Sequence, residues 1–279
     1  KPNSNKRNKD SKKIAQGRVE TPISQTLQVN TKKGPPWLYG RHAVIAALAN
    51  EKRNCHRLIV TEDFLKSHGD ELKEAIRQSD RSRPQVEILA RNDLDAIFSD
   101  AVHQGVGLQV DALQNENLND LIQECEDKES CVFVALDQPT DPQNIGAIMR
   151  SAAAFGASGV ILPEKNSPEV TPSLAKAACG ALERIPLIRI TNLSRSLDQL
   201  KENGFWCVGL DGYADNYLHT IDLKGKIVLI MGNEGKGLRR LTKEKCDFLA
   251  KIPIQEAIES LNLSNATAIS LYEVAKQSR

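Results

Sequence analysis

The sequence predicts an α/β protein, with a parallel sheet covered by helices on both faces and a small α/β unit before it. Five near-continuous apolar runs follow residue 130, at positions 131–137, 159–162, 185–190, 205–210 and 227–231. Strands buried on both faces take this form. Helical segments separate the runs, and such alternation of strand and helix is typical of a parallel sheet.

Composition narrows the class of protein. The 279 residues contain no run of about 18 apolar residues, so we expect no membrane span. The six cysteines are scattered without a CxxC pair, and Cys131 and Cys207 lie within apolar runs, so we predict that both are buried free thiols. This usage predicts a cytoplasmic location. The five histidines lack metal-ligand spacing, and we therefore expect no metal site.

Charge is unevenly distributed along the chain. Residues 1–36 carry nine Lys or Arg against Asp10 and Glu20, whereas the rest carries 28 basic and 34 acidic residues. We predict that residues 1–36 form a disordered basic arm. Such an arm suits a polyanionic partner, and a merely solubilising tail is an equal alternative.

Residues 37–111 are predicted to form the small α/β unit. The segment YGRHAVIAALAN is predicted to form a helix, and the residues on its apolar face are Ala43, Val44, Ala47 and Leu48. Strands are predicted at 57–60, 86–90 and 105–110, with a helix at 63–79 and another capped by Asn92. Residues 112–130 are strongly polar and are predicted to form a linker with one short helix.

Three helices are predicted between or after the later apolar runs, within residues 131–279. Thr171 and Pro172 suit an N-cap and a first-turn proline, with a helix running towards Leu182. Ser194 is predicted to cap a helix that stops at Gly204. The last helix, 265–277, is predicted to bury Ala268, Leu271, Tyr272 and Ala275.

Arg150 lies in the helix that follows the first apolar run. The residues expected to pack on the sheet share one arc of this helix; they are Ile145, Ile148, Met149, Ala152 and Phe155. Arg150 falls opposite that arc, on a side made otherwise of Gly146, Ala147, Ala153 and Ala154. Small residues allow a helix or a ligand to approach the backbone closely. An ordinary surface arginine is the alternative.

Two further segments carry candidate polar groups. In IMGNEGKGL the glycine spacing matches neither a P-loop nor a dinucleotide fingerprint, and Glu234 would repel a phosphate. Four polar residues cluster before the last helix; they are Ser260, Asn262, Ser264 and Asn265. Asn144 stands just before the Arg150 helix, at the end of a strand, where ligands bind in open α/β sheets. Simple turns and helix caps would also explain these residues.

Together the three segments resemble the motifs of the SPOUT superfamily, and specifically of the TrmH (SpoU) family of RNA ribose 2′-O-methyltransferases. The segments that match are DPQNIGAIMRSA, IMGNEGKGL and IPIQEAIESLNLSNA. The stretch from Tyr39 to about Val110 is similar to the RNA-binding domain of the family's rRNA branch. The sequence departs from the family in IQEAIE, where a glycine is usual and acidic residues stand instead.

The resemblance implies a C-terminal trefoil knot, a homodimer and an RNA partner, with S-adenosylmethionine as the cofactor. By motif position, the implied catalytic residues are Asn144, Arg150, Glu234, Ser260 and Asn262, and the implied cofactor-binding residues are Gly232, Ile252 and Leu261. Because a guanidinium stays protonated, we assign Arg150 an electrostatic role rather than that of a base.

The implied reaction is methylation of a ribose 2′-hydroxyl, most closely that of a guanosine in large-subunit (23S) rRNA. A tRNA ribose methyltransferase and a non-catalytic RNA-binding factor in ribosome assembly are alternatives. A nicotinamide-dependent oxidoreductase is a further rival, which the glycine spacing disfavours.

Overall fold

The computed structural model describes residues 34–99, 101–255 and 257–278. The predicted basic arm therefore lies outside the described residues, apart from its last three positions. Within the described part of the chain, none of the helices combines the length and the apolar character needed to cross a membrane.

The N-terminal subdomain is built around a four-stranded sheet in the order β1-β4-β2-β3. Its elements are β1 (Trp37–Tyr39), α1 (Arg41–Ala49), β2 (Cys55–Val60), α2 (Glu62–Arg77), β3 (Val86–Ile88), α3 (Arg91–Phe98) and β4 (Val106–Val110). Strand β4 pairs antiparallel with both β1 and β2, while β3 pairs parallel with β2. Strand β3 forms the edge of the sheet, and its three residues are exposed.

Sequence patterns predicted most of the helices and strands of this subdomain. The four residues predicted to share the buried face of α1 are those that the structure buries. The predicted cap at Asn92 is wrong, because α3 begins at Arg91 after Ala90 without a side-chain cap. Tyr39 belongs to β1 instead of the helix, since Gly40 adopts a φ of 90° and ends the strand before α1.

The rest of the chain forms a seven-stranded, fully parallel sheet in the order β7-β6-β5-β10-β8-β11-β9. Its strands are β5 (Cys131–Leu136), β6 (Gly159–Pro163), β7 (Leu187–Ile190), β8 (Trp206–Leu210), β9 (Asn216–Tyr217), β10 (Lys226–Met231) and β11 (Phe248–Lys251). Its helices are α4 (Leu118–Glu124), α5 (Pro142–Ala154), α6 (Pro172–Ala177), α7 (Leu193–Glu202), α8 (Arg240–Lys245) and α9 (Leu263–Gln277). Helix α4 lies in the segment predicted as a linker with one short helix.

The central strands of the sheet are buried on both faces, as the apolar runs predicted. Along β5, Val134 and Leu136 enter the core shared with α5, α6 and α9, while Phe133 and Ala135 enter the core shared with α4 and α7. Successive strand residues point to opposite faces, so a strand covered on both sides must be apolar throughout. All five predicted strands of this region are present, and the predicted α/β class with a parallel sheet and a small N-terminal unit is confirmed.

Several details differ from the prediction. Asn192, and not Ser194, caps α7, because its side chain accepts a hydrogen bond from the backbone N–H of Arg195. Thr171 caps α6 as predicted, but the helix ends at Ala177. The chain then turns through Cys179 and Gly180, both at positive φ, into a single 3₁₀ turn at Ala181–Glu183.

Strands β9 and β11 of the large sheet escaped prediction, as did α8. On α9 the predicted burial of Leu271 is correct, whereas Tyr272 is exposed and meets the exposed ring of Phe155 edge-on. Ala268 and Ala275 are half-buried. The predicted apolar arc of α5 is buried except for Phe155.

The predicted buried free thiol at Cys131 is wrong, because Cys131 forms a disulfide with Cys125, which follows α4. Cys207 is a buried free thiol, as predicted. Burial raises the pKa of Cys207 to about 12, and it also raises the pKa of Cys246 to about 12.

A buried ion pair joins the N-terminal subdomain to the rest of the chain. Arg53, between α1 and β2, pairs with Glu183 through side chains that are each about 5% exposed or less. Asn50 donates to the same carboxylate at 2.7 Å, and a guanidinium nitrogen of Arg53 also donates to the carbonyl of Asp111 at 2.7 Å. Gly180, three residues before Glu183, packs against α1, where an added Cβ would meet Ala46 at 2.6 Å.

We expect Glu183→Gln to lower the free energy of unfolding by about 3–5 kcal/mol, because it leaves the charge of Arg53 buried without a counter-charge. Urea titration of the full chain measures this. The matched control is Glu87→Gln, which removes the more exposed partner of Arg57 and should cost about 0–1 kcal/mol. Equal losses for the two variants would contradict the interpretation.

Candidate active site

The loops that follow β5, β10 and β11 lie at one edge of the large sheet. All three strands run parallel, so their carboxyl ends share that edge. The first loop leads into α5, the second is the glycine-rich segment 232–238, and the third leads into α9. Such an edge is where ligands bind in open α/β sheets.

Side chains from the first turn of α5, the glycine-rich loop and the N-cap of α9 meet in one hydrogen-bonded triangle. Asn144 donates through Nδ2 to Oε1 of Glu234 at 2.6 Å. Asn262 donates through its own Nδ2 to the same Oε1 at 3.2 Å and to Oδ1 of Asn144 at 3.1 Å. The structure thus brings together three predicted site residues that lie 90 and 28 positions apart along the chain.

The side chain of Asn262 also caps α9, and this second set of hydrogen bonds fixes its orientation. Its Oδ1 caps α9 by accepting hydrogen bonds from the backbone N–H of Ser264 at 2.9 Å and of Asn265 at 3.4 Å. The amide group must therefore turn Nδ2 towards Glu234 and Asn144. Leu263 adds its backbone N–H to Oε1 of Glu234 at 3.4 Å, so that one carboxylate oxygen receives three donors.

Glycine is required in the second loop by its own packing. A Cβ at Gly232 would lie 2.3 Å from the carbonyl carbon of Gly237, so no side chain fits there. The close approach allows Asn233 and Gly237 to exchange two backbone hydrogen bonds of 3.1 and 2.9 Å. Gly235 and Gly237 adopt φ of 85° and 65°, values that residues with a side chain rarely take. This compact turn presents Glu234.

A buried carboxylate anchors the second loop to the first, and sequence reasoning missed it. Asp137, which follows β5, accepts hydrogen bonds from the backbone N–H of Arg239 at 3.0 Å and from its Nε at 2.6 Å. The Asp137 side chain is fully buried. Asn233 also donates to the carbonyl of Gln138 at 2.7 Å. A carboxylate at the end of an apolar run was the only sequence signal for this anchor.

Arg150 does not join the triangle within its own chain. It lies six residues after Asn144 on α5, about 9 Å further along the helix axis and about 120° around it. Its guanidinium is exposed and approaches the sulfur of Cys179 at 3.6 Å. The predicted small-residue side is in part a packing surface for α6, since an added Cβ at Gly146 would meet the carbonyl of Leu174 at 2.6 Å.

The remaining predicted residues lie in the third loop. Ser260 is exposed, and Ile252 and Leu261 are half-buried. Ile254 and Ile258 in the same loop are 40% and 55% exposed. The loop therefore offers apolar surface directly beside the polar triangle, an arrangement that suits an aromatic ring joined to a polar group.

One further charged pair lies at this edge of the sheet. Asp211 follows β8 and pairs with Lys243. Burial acts to raise the pKa of Asp211, but hydrogen bonds from Lys243 and from the backbone of Tyr213 outweigh it and hold the pKa below its usual value. In the described part of the chain, no group of three His, Cys, Asp or Glu side chains is arranged to hold a metal ion.

Comparison with known proteins matches both parts of the chain. The SpoU rRNA Methylase family profile matches residues 131–272, and a profile for RNA 2′-O ribose methyltransferase substrate binding matches residues 37–116. The chain belongs to the SpoU rRNA methylase family. The family predicted from the three motifs is confirmed, and the triangle is made by those motifs.

Relatives and solved structures of the SpoU family cover most of the chain. The 23S rRNA (guanosine-2′-O-)-methyltransferase RlmB of Coxiella burnetii is 40% identical over 86% of this chain and 95% of its own length. The AdoMet-bound rRNA methyltransferase of Sinorhizobium meliloti is 27% identical, with a TM-score of 0.69 over 86% of each chain. AviRb of Streptomyces viridochromogenes, at 24% identity, shares the fold with a TM-score of 0.71 over 88% of this chain and 90% of its own.

We expect Asn262→Ala to destabilise this SpoU-family chain by more than the loss of an ordinary helix cap, because it removes both the α9 cap and two sides of the triangle. Loss of a cap alone costs about 1 kcal/mol. Asn192→Ala is the matched control, since it removes an asparagine cap from α7 outside the site. Urea unfolding compares the two, and an equal cost would show that the triangle adds no stability.

Proposed function

We propose that the chain methylates the 2′-hydroxyl of a guanosine in 23S rRNA, with S-adenosylmethionine as the methyl donor. The observation that carries the proposal is the triangle of Asn144, Glu234 and Asn262, which unites the three family motifs at the ligand-binding edge of the sheet. Relatives about 40% identical over most of the chain are named for this reaction. The N-terminal subdomain favours rRNA over tRNA as the substrate.

The residues at this edge fit the cofactor. Gly232 packs its bare backbone against Gly237 at the end of β10, and the half-buried Ile252 and Leu261 supply apolar groups at the two ends of the third loop. We assign the adenine ring to these aliphatic groups and the polar end to backbone groups of the two loops. When bound, S-adenosylmethionine supplies a methyl group on a sulfonium centre for in-line transfer.

Glu234 is the acceptor that the substrate hydroxyl would meet. Its Oε1 is occupied by three donors, whereas its Oε2 accepts no hydrogen bond from the residues that the structure describes. A ribose hydroxyl can donate to Oε2 and so be oriented for attack. Asn144 and Asn262 hold the carboxylate in place, and Ser260 lies close enough in sequence to Asn262 to contact the same ribose.

Arg150 acts through charge. A guanidinium stabilises the alkoxide that develops on the attacking oxygen and can hold a neighbouring phosphate. Since Arg150 lies away from the triangle of its own chain, we infer that a homodimer places the Arg150 of one subunit beside the triangle of the other. The exposed apolar side chains of Phe155, Ile269 and Tyr272 on α5 and α9 support such an interface.

The topology supports the remaining parts of the proposal. Strand β10 lies between β5 and β8, β11 lies beyond β8, and α9 returns to pack on α5. We infer that this path forms the family's trefoil knot. We also infer that residues 37–111 and the basic arm, 1–36, bind RNA. Residues 112–130 link these parts to the catalytic part at 131–279. We further infer that the protein works in the cytoplasm, where rRNA is available.

We expect Arg150→Ala to reduce methyl transfer to rRNA by at least about 10²–10³-fold, because one positioned donor to a developing oxyanion contributes that much. The affinity for S-adenosylmethionine should stay nearly unchanged, since Arg150 is assigned to the attacking oxygen and the phosphate of the substrate and not to the cofactor. Transfer of a labelled methyl group and titration calorimetry measure the two quantities.

The control for Arg150 is Arg195→Ala, an exposed arginine on α7 away from the site, and this variant should retain full activity. Normal transfer by Arg150→Ala would show that the assigned role is wrong. Mixing Arg150→Ala with Glu234→Ala subunits should restore part of the activity if each site combines residues of two subunits.

A gene deletion in the source organism tests which RNA is the substrate. Deleting the gene should remove one ribose methylation from 23S rRNA, and mapping of 2′-O-methyl groups identifies the nucleotide. Parallel calorimetry should detect binding of S-adenosylmethionine and none of NAD. An unchanged methylation map, together with absent cofactor binding, would favour the non-catalytic RNA-binding alternative.

A further inference from the structure

A cleft in the N-terminal subdomain has no part in the triangle. It has a volume of about 400 Å³ and lies between the turn after α1 and the loop after α2. Its lining includes three arginines and no carboxylate; the lining residues are Arg53, Asn54, Cys55, His56, Arg81, Ser82 and Arg83. The cleft is therefore a cationic depression on a chain whose overall net charge is only +1.

Two of the three arginines have no carboxylate partner among the residues that the structure describes. Glu183 neutralises Arg53. By contrast, Arg81 and Arg83 form no ion pair with any residue that the structure describes. Arg81 is exposed and donates to the side-chain oxygen of Asn54 at 2.5 Å. The cleft thus carries about two positive charges that a ligand can meet.

Arg83 is held rigidly behind the cleft. Its terminal nitrogens donate to the carbonyls of Arg53 and Asn50, each at 2.7 Å, so its charge is fixed by neutral acceptors only. Its Nε is buried without a hydrogen-bond partner. A buried donor without a hydrogen-bond partner is costly, and the half-buried guanidinium of Arg83 has no counter-charge among the described residues, which an anion seated in the cleft would supply.

The carboxylates nearest to the cleft are already engaged. Asp111 accepts hydrogen bonds from Asn54 at 3.1 Å and interacts with His56 at 2.7 Å, and Glu183 is covered by Arg53 and Asn50. A cavity of similar size beside α2 differs in this respect. Its cations Arg41, Lys66 and Lys73 are each paired with a carboxylate.

We propose that the cleft between residues 53–56 and 81–83 binds a phosphodiester group of the RNA backbone, with Arg81 as its main contact. Planar guanidinium groups match the geometry of phosphate oxygens, and arginines without a carboxylate partner favour an anionic oxygen ligand, such as a phosphodiester, over a neutral one. The inference rests on the proposed function in taking RNA as the source of the phosphate. It adds the place and the chemistry of one RNA contact.

The test is the salt dependence of binding to deproteinised 23S rRNA, measured without any methyl donor. We expect Arg81→Gln to weaken binding about tenfold, as the loss of one charge-assisted hydrogen bond does. The slope of log affinity against log salt should fall by about 0.7–1, because one fewer phosphate is neutralised. Arg81→Lys keeps the charge and should preserve the slope.

The matched control is Arg77→Gln, which removes an exposed arginine that already pairs with Glu74 on α2. It should change affinity by less than about twofold. Equal losses for Arg77→Gln and Arg81→Gln would overturn the proposal, because they would show only a general effect of net charge. Arg81 is exposed, so both variants are expected to fold, and circular dichroism verifies this.

Inorganic phosphate distinguishes the source of the ligand. At equal ionic strength, phosphate should displace rRNA from the wild-type protein better than chloride does, and this advantage should vanish in Arg81→Gln. If phosphate binds through Arg81 while the RNA slope is unaltered, the cleft takes free phosphate and the RNA assignment is overturned. If wild-type protein methylates rRNA and Arg81→Gln binds it normally, the cleft proposal fails alone. If the wild type methylates no RNA, the proposed function fails instead.

Discussion

The arrangement of the site depends on a single carboxylate oxygen. Oε1 of Glu234 accepts hydrogen bonds from Asn144, Asn262 and the backbone of Leu263, and so joins loops that are far apart in sequence. The contact is possible because parallel strands bring their carboxyl ends to one edge. It also depends on the turn at Gly232, where the chain approaches itself too closely for any side chain.

The segment from α6 to Glu183 connects the two parts of the chain. It holds Arg53 of the N-terminal subdomain through Glu183, and it meets Arg150 through Cys179. The same short segment therefore contacts both the N-terminal subdomain and the arginine proposed to act in methyl transfer. A positive φ at both Cys179 and Gly180 gives this segment its tight turn.

Sequence reasoning located the elements with strong local signals and missed those without them. Apolar runs predicted the five strands of the large sheet that are covered on both faces. Strand β11 is partly exposed and carries Lys251, so it lacks such a run, and β9 has only two residues. Asn92 and Ser194 were plausible caps by residue type, yet a neighbouring position begins each helix, because cap identity depends on backbone geometry.

The sequence by itself determined the alternation of strand and helix through its periodicity, and the resemblance of its three motifs to the SpoU family indicated that family and the site residues Asn144, Glu234 and Asn262. Only the tertiary structure decided that these three side chains share one hydrogen-bond network while Arg150 lies outside it. It alone also showed that the buried Asp137 carboxylate pairs with Arg239 and that Arg81 and Arg83 have no carboxylate partner among the described residues. Such facts depend on distances between residues remote in the chain, and no local pattern of residues encodes them.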